Sequence, residues 1–376
     1  MKKSSLLLIL GLYLFLLSLT GFKEAWHLAF MNPQNEHWIK SILHNALESP
    51  FTGLLAGIVI TSMVQSSSAT IALVVATVGS GVIEVSHSVF ILMGANIGTT
   101  ITNTIVGLGY GKDNTDFKRV LPSILVDDIF KMLNVALFFT LEVLTGFLHK
   151  LSQYSVDFFT KDTGKNSLLA YFPDLVDVIT KPVINHTVLP FAHLVSSPIV
   201  SALIVGIAFF LLLIFALNMM GHSLERLLKD KSEAFLKKAL ANRPQAFGIG
   251  LVLCWLLQSS SVTTSLIIPL VSQSIVSLPS VYYYSLGAAI GTTCDPGQLL
   301  SYLKFGPLGL KAGAIHIFLN LLGVLIFALV PGLKELPQFI ATSLGNTIAS
   351  RKKGPLYLIG YTFTVFILFP LGAIFL

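Results

Sequence analysis

Apolar residues run in long blocks separated by short polar punctuation, with neither the alternation of a half-buried strand nor the single stripe of a soluble helix. A bilayer core of roughly 30 Å takes about 20 apolar residues of helix. Blocks near that length lie at about 4–20, 86–108, 120–148, 199–220, 280–303, 312–331 and 355–376, and each is predicted to span. Two blocks, 51–83 and 245–276, do not fit. As one helix each would run about 50 Å, too long to cross once; halved, each arm reaches roughly 24 Å, too short to cross twice. Both carry a run of serines at the centre. The pattern predicts a re-entrant hairpin or broken helix with its tip near mid-membrane, where non-helical backbone is tolerated only inside protein or beside a wet cavity.

Composition agrees. Only 11% of the 376 residues are Asp, Glu, Lys or Arg, 54% are apolar, and 27 are Phe. A soluble domain carries about a quarter charged residues, so a soluble enzyme and a disordered chain are excluded. Cys254 and Cys294 both lie in apolar segments and suggest neither a disulfide framework nor a zinc site. The formal charge of +6 has no Arg-aromatic platform behind it, which argues against nucleic acid and for a topological role. With both interrupted blocks entering and leaving on one side, 15 of the 24 basic residues fall on the side of Lys2 and Lys3, which predicts a cytoplasmic N-terminus. No small-residue cleavage site follows the first block at Leu19-Thr20-Gly21-Phe22-Lys23, so it is expected to remain as a span.

The chain also repeats itself. Gln65-Ser66-Ser67-Ser68 recurs as Gln258-Ser259-Ser260-Ser261, and Gly94-Ala95-Asn96-Ile97-Gly98-Thr99-Thr100 recurs as Gly287-Ala288-Ala289-Ile290-Gly291-Thr292-Thr293. Both pairs are offset by 193, and ten of the eleven positions agree. After about four residues lost from a loop, Asp128-Ile129-Phe130 falls near Ile317-Phe318. Each unit contributes three full spans and one interrupted segment, and an odd number of crossings turns the second copy upside down. The expected fold is therefore an all-α polytopic membrane protein of two inverted-topology repeats. Residues 1–148 form the first repeat, 149–198 an extracellular linker, 199–331 the second repeat, and 332–376 a loop and an extra transmembrane helix. Inverted repeats with paired broken helices are the architecture of secondary transporters, with the substrate at the midplane between them. A channel more often builds its pore from symmetric subunits.

The serine tips offer hydroxyls and amides that both donate and accept. A broken helix adds free N–H groups that attract anions and free carbonyls that suit a hard cation. Two tips meeting at mid-membrane could hold an oxyanion and alkali-metal ions together, with Thr70, Thr263, Thr264 and Ser265 extending the oxygen-rich surface. The plainer alternative is that such residues bond their own i−4 carbonyls or pack helices closely. Gly94/Gly98 and Gly287/Gly291 read equally as a packing motif, whereas Asn96, Thr99, Thr100 and Asn103 add polar atoms that packing does not need. Charges inside spans are rare and often functional. Asp127 and Lys131 share a helix face, and Asp128 is also placed to reach Lys131 at i+3, as a structural pair or as ion-coupling groups. His316 reads as a packing histidine. No Arg lies within the seven spans, so an anion must be held by hydroxyls, helix ends and co-bound cations.

At these residues the sequence resembles the type II sodium/phosphate cotransporter family. Gln65–Ser68, Gly94–Thr100 with Thr102-Asn103-Thr104, Gln258–Ser261 with Thr264, and Phe318-Leu319-Asn320 carry the resemblance. It implies import of inorganic phosphate driven by sodium, in a multi-pass cell-membrane protein with no cofactor and no metal beyond Na+. Phosphate contacts are then expected from Gln65, Ser66, Ser67, Ser68, Gln258, Ser259, Ser260 and Ser261. Sodium contacts are expected around Gln65, Asn96, Ser260 and Thr264, with Thr99 and Thr292 of the glycine motifs in the same candidate set. Asp127, Asp128, Lys131 and Asn320 stand as coupling or structural residues. The lipid bilayer is the expected surrounding, nucleic acid is not a partner, and an oligomer is compatible with the pattern. Ala289 departs from the family's Asn, Asp127 from a His of animal members and Lys131 from an Asn. The linker also lacks the disulfide-bearing loop of animal relatives, as a bacterial member would. The competing readings are a sodium- or proton-coupled carrier of another oxyanion or organic anion, and a membrane-embedded lipid enzyme. The enzyme reading lacks a metal-ligand cluster or a Ser/His/Asp arrangement.

Overall fold

The computed structural model describes residues 4–14, 49–79, 83–161, 175–192, 240–257, 259–294 and 306–375, with scattered positions between, and all regular structure among them is helical. Helix α1 covers Ser4–Leu14. Ser49 starts α2 (Pro50–Val64) with a reciprocal cap: its Oγ accepts from the Thr52 amide at 3.1 Å, while its own amide donates to Thr52 Oγ1 at 3.0 Å. Pro50 sits in the first turn, where its missing N–H costs nothing. The helix stops at Gln65, which takes a left-handed backbone of φ 56°, ψ 26°, and α3 (Ser67–Gly79) resumes two residues later.

The second interrupted segment breaks at the equivalent place. Helix α9 (Arg243–Leu257) ends one residue before Gln258, and α10 (Ser260–Leu266) starts after Ser259, whose Oγ accepts from the Val262 amide at 3.3 Å. A further turn at Ile267 separates α11 (Ile268–Ser272), where Pro269 has no amide to continue the ladder. The sequence pattern did not anticipate this second division. Ends and starts of the helices around the serine runs keep the offset of 193. So do two side-chain bonds: Thr70 Oγ1 donates to Ser66 O at 3.0 Å and Thr263 Oγ1 to Ser259 O at 2.8 Å.

Helices α4 (Val85–Gly98) and α5 (Ile101–Leu108) follow the first break, and α12 (Leu278–Thr293) follows the second. Packing within each half repeats residue by residue. A Cβ on Gly94 would overlap the Leu54 carbonyl, and one on Gly287 would overlap the Phe247 carbonyl. Gly57 and Gly250 bear in the same way on the carbonyls of Ile91 and Tyr284. Each pair of helices touches backbone to backbone, which only glycine allows.

Helix α6 (Asn114–Thr145) spans 32 residues and accommodates Pro122. Its N-terminus is capped by Asp113, which accepts from the amides of Thr115 (2.8 Å) and Asp116 (3.2 Å). Glu142 closes the other end by accepting from the Leu148 amide at 2.6 Å as the chain turns into α7 (Phe147–Lys161). With α8 (Leu175–Ala192), the stretch expected as a linker is thus substantially helical among the described residues. Helix α13 (Gly306–Leu329) crosses α6 so closely that a Cβ on Gly323 would overlap the Asn134 side chain. Helix α14 (Leu336–Ala349) lays Gly345 against Pro122, and α15 (Gly354–Phe363), a π-helical turn (Thr364–Leu368) and α16 (Phe369–Phe375) end the chain.

The polarity is inverted relative to a water-soluble protein. Leu144, Leu256, Leu325, Phe339, Phe363 and Leu368 are exposed, whereas Asn96, Asn103, Asp127, Asp128, Lys131 and Asn320 are buried. Among the described residues, three helical stretches are long and apolar enough to cross a bilayer: Val85–Leu108, Pro307–Leu329 and Gly354–Ile374. They match three of the seven predicted spans. The span at 120–148 falls mostly within α6, the one at 280–303 begins within the sixteen-residue α12, α1 covers most of the one at 4–20, and the one at 199–220 is described at scattered helical positions.

Candidate functional site

The first tip is held by its glutamine. Gln65 Nε2 donates to Ser62 O at 2.5 Å, and its Oε1 accepts from Thr102 Oγ1 at 3.0 Å, tying the tip to α5. Ser66, Ser67 and Ser68 are half-buried around the start of α3. At the second tip Ser259 caps α10, Ser260 is buried, and Ser261 reaches across to the first half. Gln258 lies outside the described residues.

The glycine motif prepares the crossing. Between α4 and α5 the chain turns at Thr99-Thr100, and the Asn103 amide bonds to Thr100 O at 3.0 Å instead of to Thr99 O one residue earlier. The Thr99 carbonyl accepts instead from Ser261 Oγ at 3.2 Å. The Thr99 hydroxyl donates within its own turn to Ala95 O at 2.9 Å, the local bond that the plainer reading foresaw. Its counterpart Thr292 is buried, and its hydroxyl has no partner among the described residues.

Asn103 is the bridge. Its Oδ1 accepts from Thr264 Oγ1 at 2.9 Å and Ser265 Oγ at 3.1 Å on α10, and its Nδ2 donates to Asp127 Oδ2 at 3.2 Å on α6. Lys131 Nζ reaches the same carboxylate oxygen at 3.1 Å, so Asp127 and Lys131 pair as their spacing requires. Asp128 corrects the expectation that it would also reach Lys131. Its Oδ2 faces Thr104 Oγ1 at 3.4 Å and Tyr361 OH at 3.5 Å, because it lies on the flank of α6 turned towards α5 and α15. Among the described residues, the outer oxygens Asp127 Oδ1 and Asp128 Oδ1 have no hydrogen-bond partner.

A second bridge joins the halves through amides. Asn96 Nδ2 donates to Asn320 Oδ1 at 3.2 Å, and Asn320 Nδ2 donates to His316 O at 3.0 Å. His316 Nδ1 meets Tyr302 OH at 3.0 Å, the satisfied packing histidine that the sequence suggested. The structure thus gathers the candidate residues into three hydrogen-bonded groups: Gln65 with Thr102; Thr99, Ser261, Thr264, Asn103, Asp127 and Lys131; and Asn96 with Asn320. Tyr361 is the member that sequence reasoning missed, because its role depends on a long-range contact with Asp128. Asn103 and Ser265 had been noted only as polar atoms nearby. This assembly offers hydroxyl donors for an oxyanion and amide, hydroxyl and carboxylate oxygens for hard cations. Among the described residues no cluster of His, Cys, Asp and Glu is arranged to hold a transition metal.

A sequence model of the Na+/Pi-cotransporter family matches residues 14–156 and 212–346. The chain is 29% identical to sodium-dependent phosphate transport protein 2A of Ovis aries over 97% of its own length, and 28% identical to the Rattus norvegicus 2A protein over 96%. It is 27% identical over 97% to the Homo sapiens 2B protein. The chain spans 66% of the length of the sheep and rat proteins and 64% of the human one. No solved structure matches the chain.

Proposed function

The chain belongs to the Na+/Pi-cotransporter family, and from that premise we propose that it is a secondary active carrier importing inorganic phosphate with sodium ions. It is a transporter rather than an enzyme, in a multi-pass cell-membrane setting with its N-terminus cytoplasmic. The observation that carries the reading is the pair of matched helix breaks, one in each half, the second of which meets the glycine motif and α5 of the first half through Ser261–Thr99 and Thr264–Asn103. Such paired interruptions at a repeat interface are how a carrier holds an ion pair away from lipid.

Alternating access requires two halves that rock about a common axis, and the packing supports one. At an offset of 189, buried positions recur along α6 and α13: Asp127 with His316, Phe130 with Leu319, Lys131 with Asn320, Val135 with Val324, Phe138 with Phe327. Asn134 and Gly323 are equivalent in that register, and they touch each other. A helix that meets its own copy at the same residue implies a twofold axis between them. An odd number of crossings per unit lays that axis in the membrane plane, so the repeats are inverted and the segments at 51–83 and 245–276 are re-entrant. The extracellular linker and C-terminal extra helix follow from the same topology.

In this reading Gln65–Ser68 and Gln258–Ser261 hold phosphate between them, with hydroxyls donating to its oxygens. Sodium ions take the oxygens of Gln65, Asn96, Thr99, Ser260, Thr264 and Thr292 and screen the anion's charge, a task no arginine performs in these spans. Equilibrium binding of radiolabelled phosphate to purified protein tests the site. Sodium should raise phosphate affinity where potassium does not, and Ser68→Ala and Ser261→Ala should each weaken it in protein that still runs as a folded species. Wild-type affinity in both variants removes the serine tips from the site.

A further inference from the structure

The halves agree so closely that their disagreements carry information. Asn96 on α4 and Asn320 on α13 form a neutral amide pair across the repeat interface, with 4% and 0% of their surfaces exposed. Moving each residue to its copy exchanges Asn96 for Ala289, at the offset of 193, and Asn320 for Lys131, at the offset of 189. The twofold relation therefore sets Lys131 opposite Ala289, a methyl group that neither donates nor accepts. Both members of the pair have changed together: one half carries amide with amide, the other ammonium with methyl. Lys131 turns back along its own helix to Asp127 instead, and neither is more than 3% exposed.

A purely structural ion pair accounts poorly for this arrangement. Buried pairs add little stability over apolar residues of the same volume unless every remaining polar atom is satisfied. Here Asp127 Oδ1 is buried without a hydrogen-bond partner among the described residues, so the pair with Lys131 leaves one carboxylate oxygen unsatisfied. The group is also wired to the transport site. Asp127 Oδ2 accepts from Asn103 as well as from Lys131, and Asn103 in turn accepts from Thr264 and Ser265 of the second serine-bearing helix. Charge placed at Lys131 thus acts on that helix through an unbroken chain of hydrogen bonds. An ε-ammonium is a compact, strongly hydrated point charge, the closest side-chain counterpart of an alkali-metal ion.

We propose that the Lys131 ammonium is a resident cation: in the half-site equivalent to Asn96–Asn320 it supplies the positive charge that a second sodium would otherwise bring. The carrier then couples phosphate to one sodium fewer than two matched half-sites would bind. Because the lysine is covalently fixed, its charge stays with the protein throughout the cycle. The proposal rests on the reading of the chain as a sodium-coupled phosphate carrier.

The test is the ratio of radiolabelled sodium to radiolabelled phosphate taken up by proteoliposomes. The double substitution Lys131→Asn with Ala289→Asn writes the amide pair into the second half. It should raise the ratio by one sodium per phosphate and steepen the dependence of uptake on sodium concentration, while Lys131→Arg keeps the wild-type ratio. An unchanged ratio in a double variant that still transports overturns the proposal. If the double variant does not transport, melting of Lys131→Gln in detergent decides. A resident cation requires that sodium restore its lost stability and that choline at equal ionic strength not do so. Loss that both or neither restore is that of a structural pair and overturns the proposal. A wild-type protein without sodium dependence would instead remove the transport reading on which the proposal stands.

Discussion

Asn103→Ala isolates the bridge between the halves without touching either serine run. The change deletes one acceptor shared by Thr264 and Ser265 and one donor to Asp127. Thr264 falls back on the carbonyls of Ser260 (2.9 Å) and Ser261 (3.3 Å), so its hydroxyl is not orphaned. Ser265 loses its bond to Asn103, and Asp127 keeps only Lys131. Hydrogen bonds between helices in a membrane contribute about 0.6 kcal/mol each on average, and a bond to an ionised group about 1.5–3 kcal/mol. The sum of one of each is about 2–3.6 kcal/mol, which corresponds to roughly 30- to 400-fold in the balance between joined and separated half-sites. Half-saturation for phosphate, measured by uptake at fixed sodium, should rise by that order while the purified protein remains monodisperse. Asn103→Asp supplies the control. It keeps the shape and the acceptor for Thr264 and Ser265 but sets a third carboxylate against Asp127, so its defect should ease as pH falls and the new carboxyl protonates. Phosphate half-saturation within about twofold of wild type in Asn103→Ala would show that the bridge carries no binding energy, since twofold is only about 0.4 kcal/mol.

Other perturbations give equally definite outcomes. Gly94→Ala and Gly287→Ala drive a Cβ into equivalent carbonyls, so each should cost about 1–3 kcal/mol or more in thermal stability; one tolerated and one ruinous would contradict the matched packing. Gln65→Gly relieves a left-handed backbone, worth about 1–2 kcal/mol, yet removes the bond to Thr102; melting temperature should hold or rise while phosphate uptake falls, and retained uptake would exclude Gln65 from the site. The exposed Asp113 has its carboxyl held below the usual carboxylate range by the amides of Thr115 and Asp116. A depressed group stabilises the fold above its unfolded pKa and loses that contribution as pH falls through the folded value, so Asp113→Asn should flatten the acid limb of a melting-temperature profile below about pH 4. An unaltered acid limb would assign that pH dependence elsewhere.

How much of this was legible beforehand depends on the range of the interactions. The breaks at Gln65 and before Ser259 could be read from length and the central serine runs, because each segment was too long to cross once and too short to cross twice. The duplication was legible as identity at a constant offset, and the glycine contacts repeat at that same offset. Asp127 with Lys131 followed from helical spacing. Asn103 with Thr264, Asn96 with Asn320 and Asp128 with Tyr361 did not, because they join residues more than a hundred positions apart and no periodicity encodes such pairing. The extra break at Ile267 escaped for a different reason: Pro269 near the start of a short helix is tolerated, and a proline by itself does not say whether it kinks a helix or begins one.

Sodium coupling is tested most directly by radiolabelled phosphate uptake into sealed proteoliposomes under an inward sodium gradient and, separately, an equal inward potassium gradient. Accumulation above equilibrium with sodium alone is the result expected of a sodium-coupled phosphate carrier. Equal uptake under both gradients would contradict sodium coupling while leaving the two broken-helix halves as described, and would direct attention to protons and to other oxyanions.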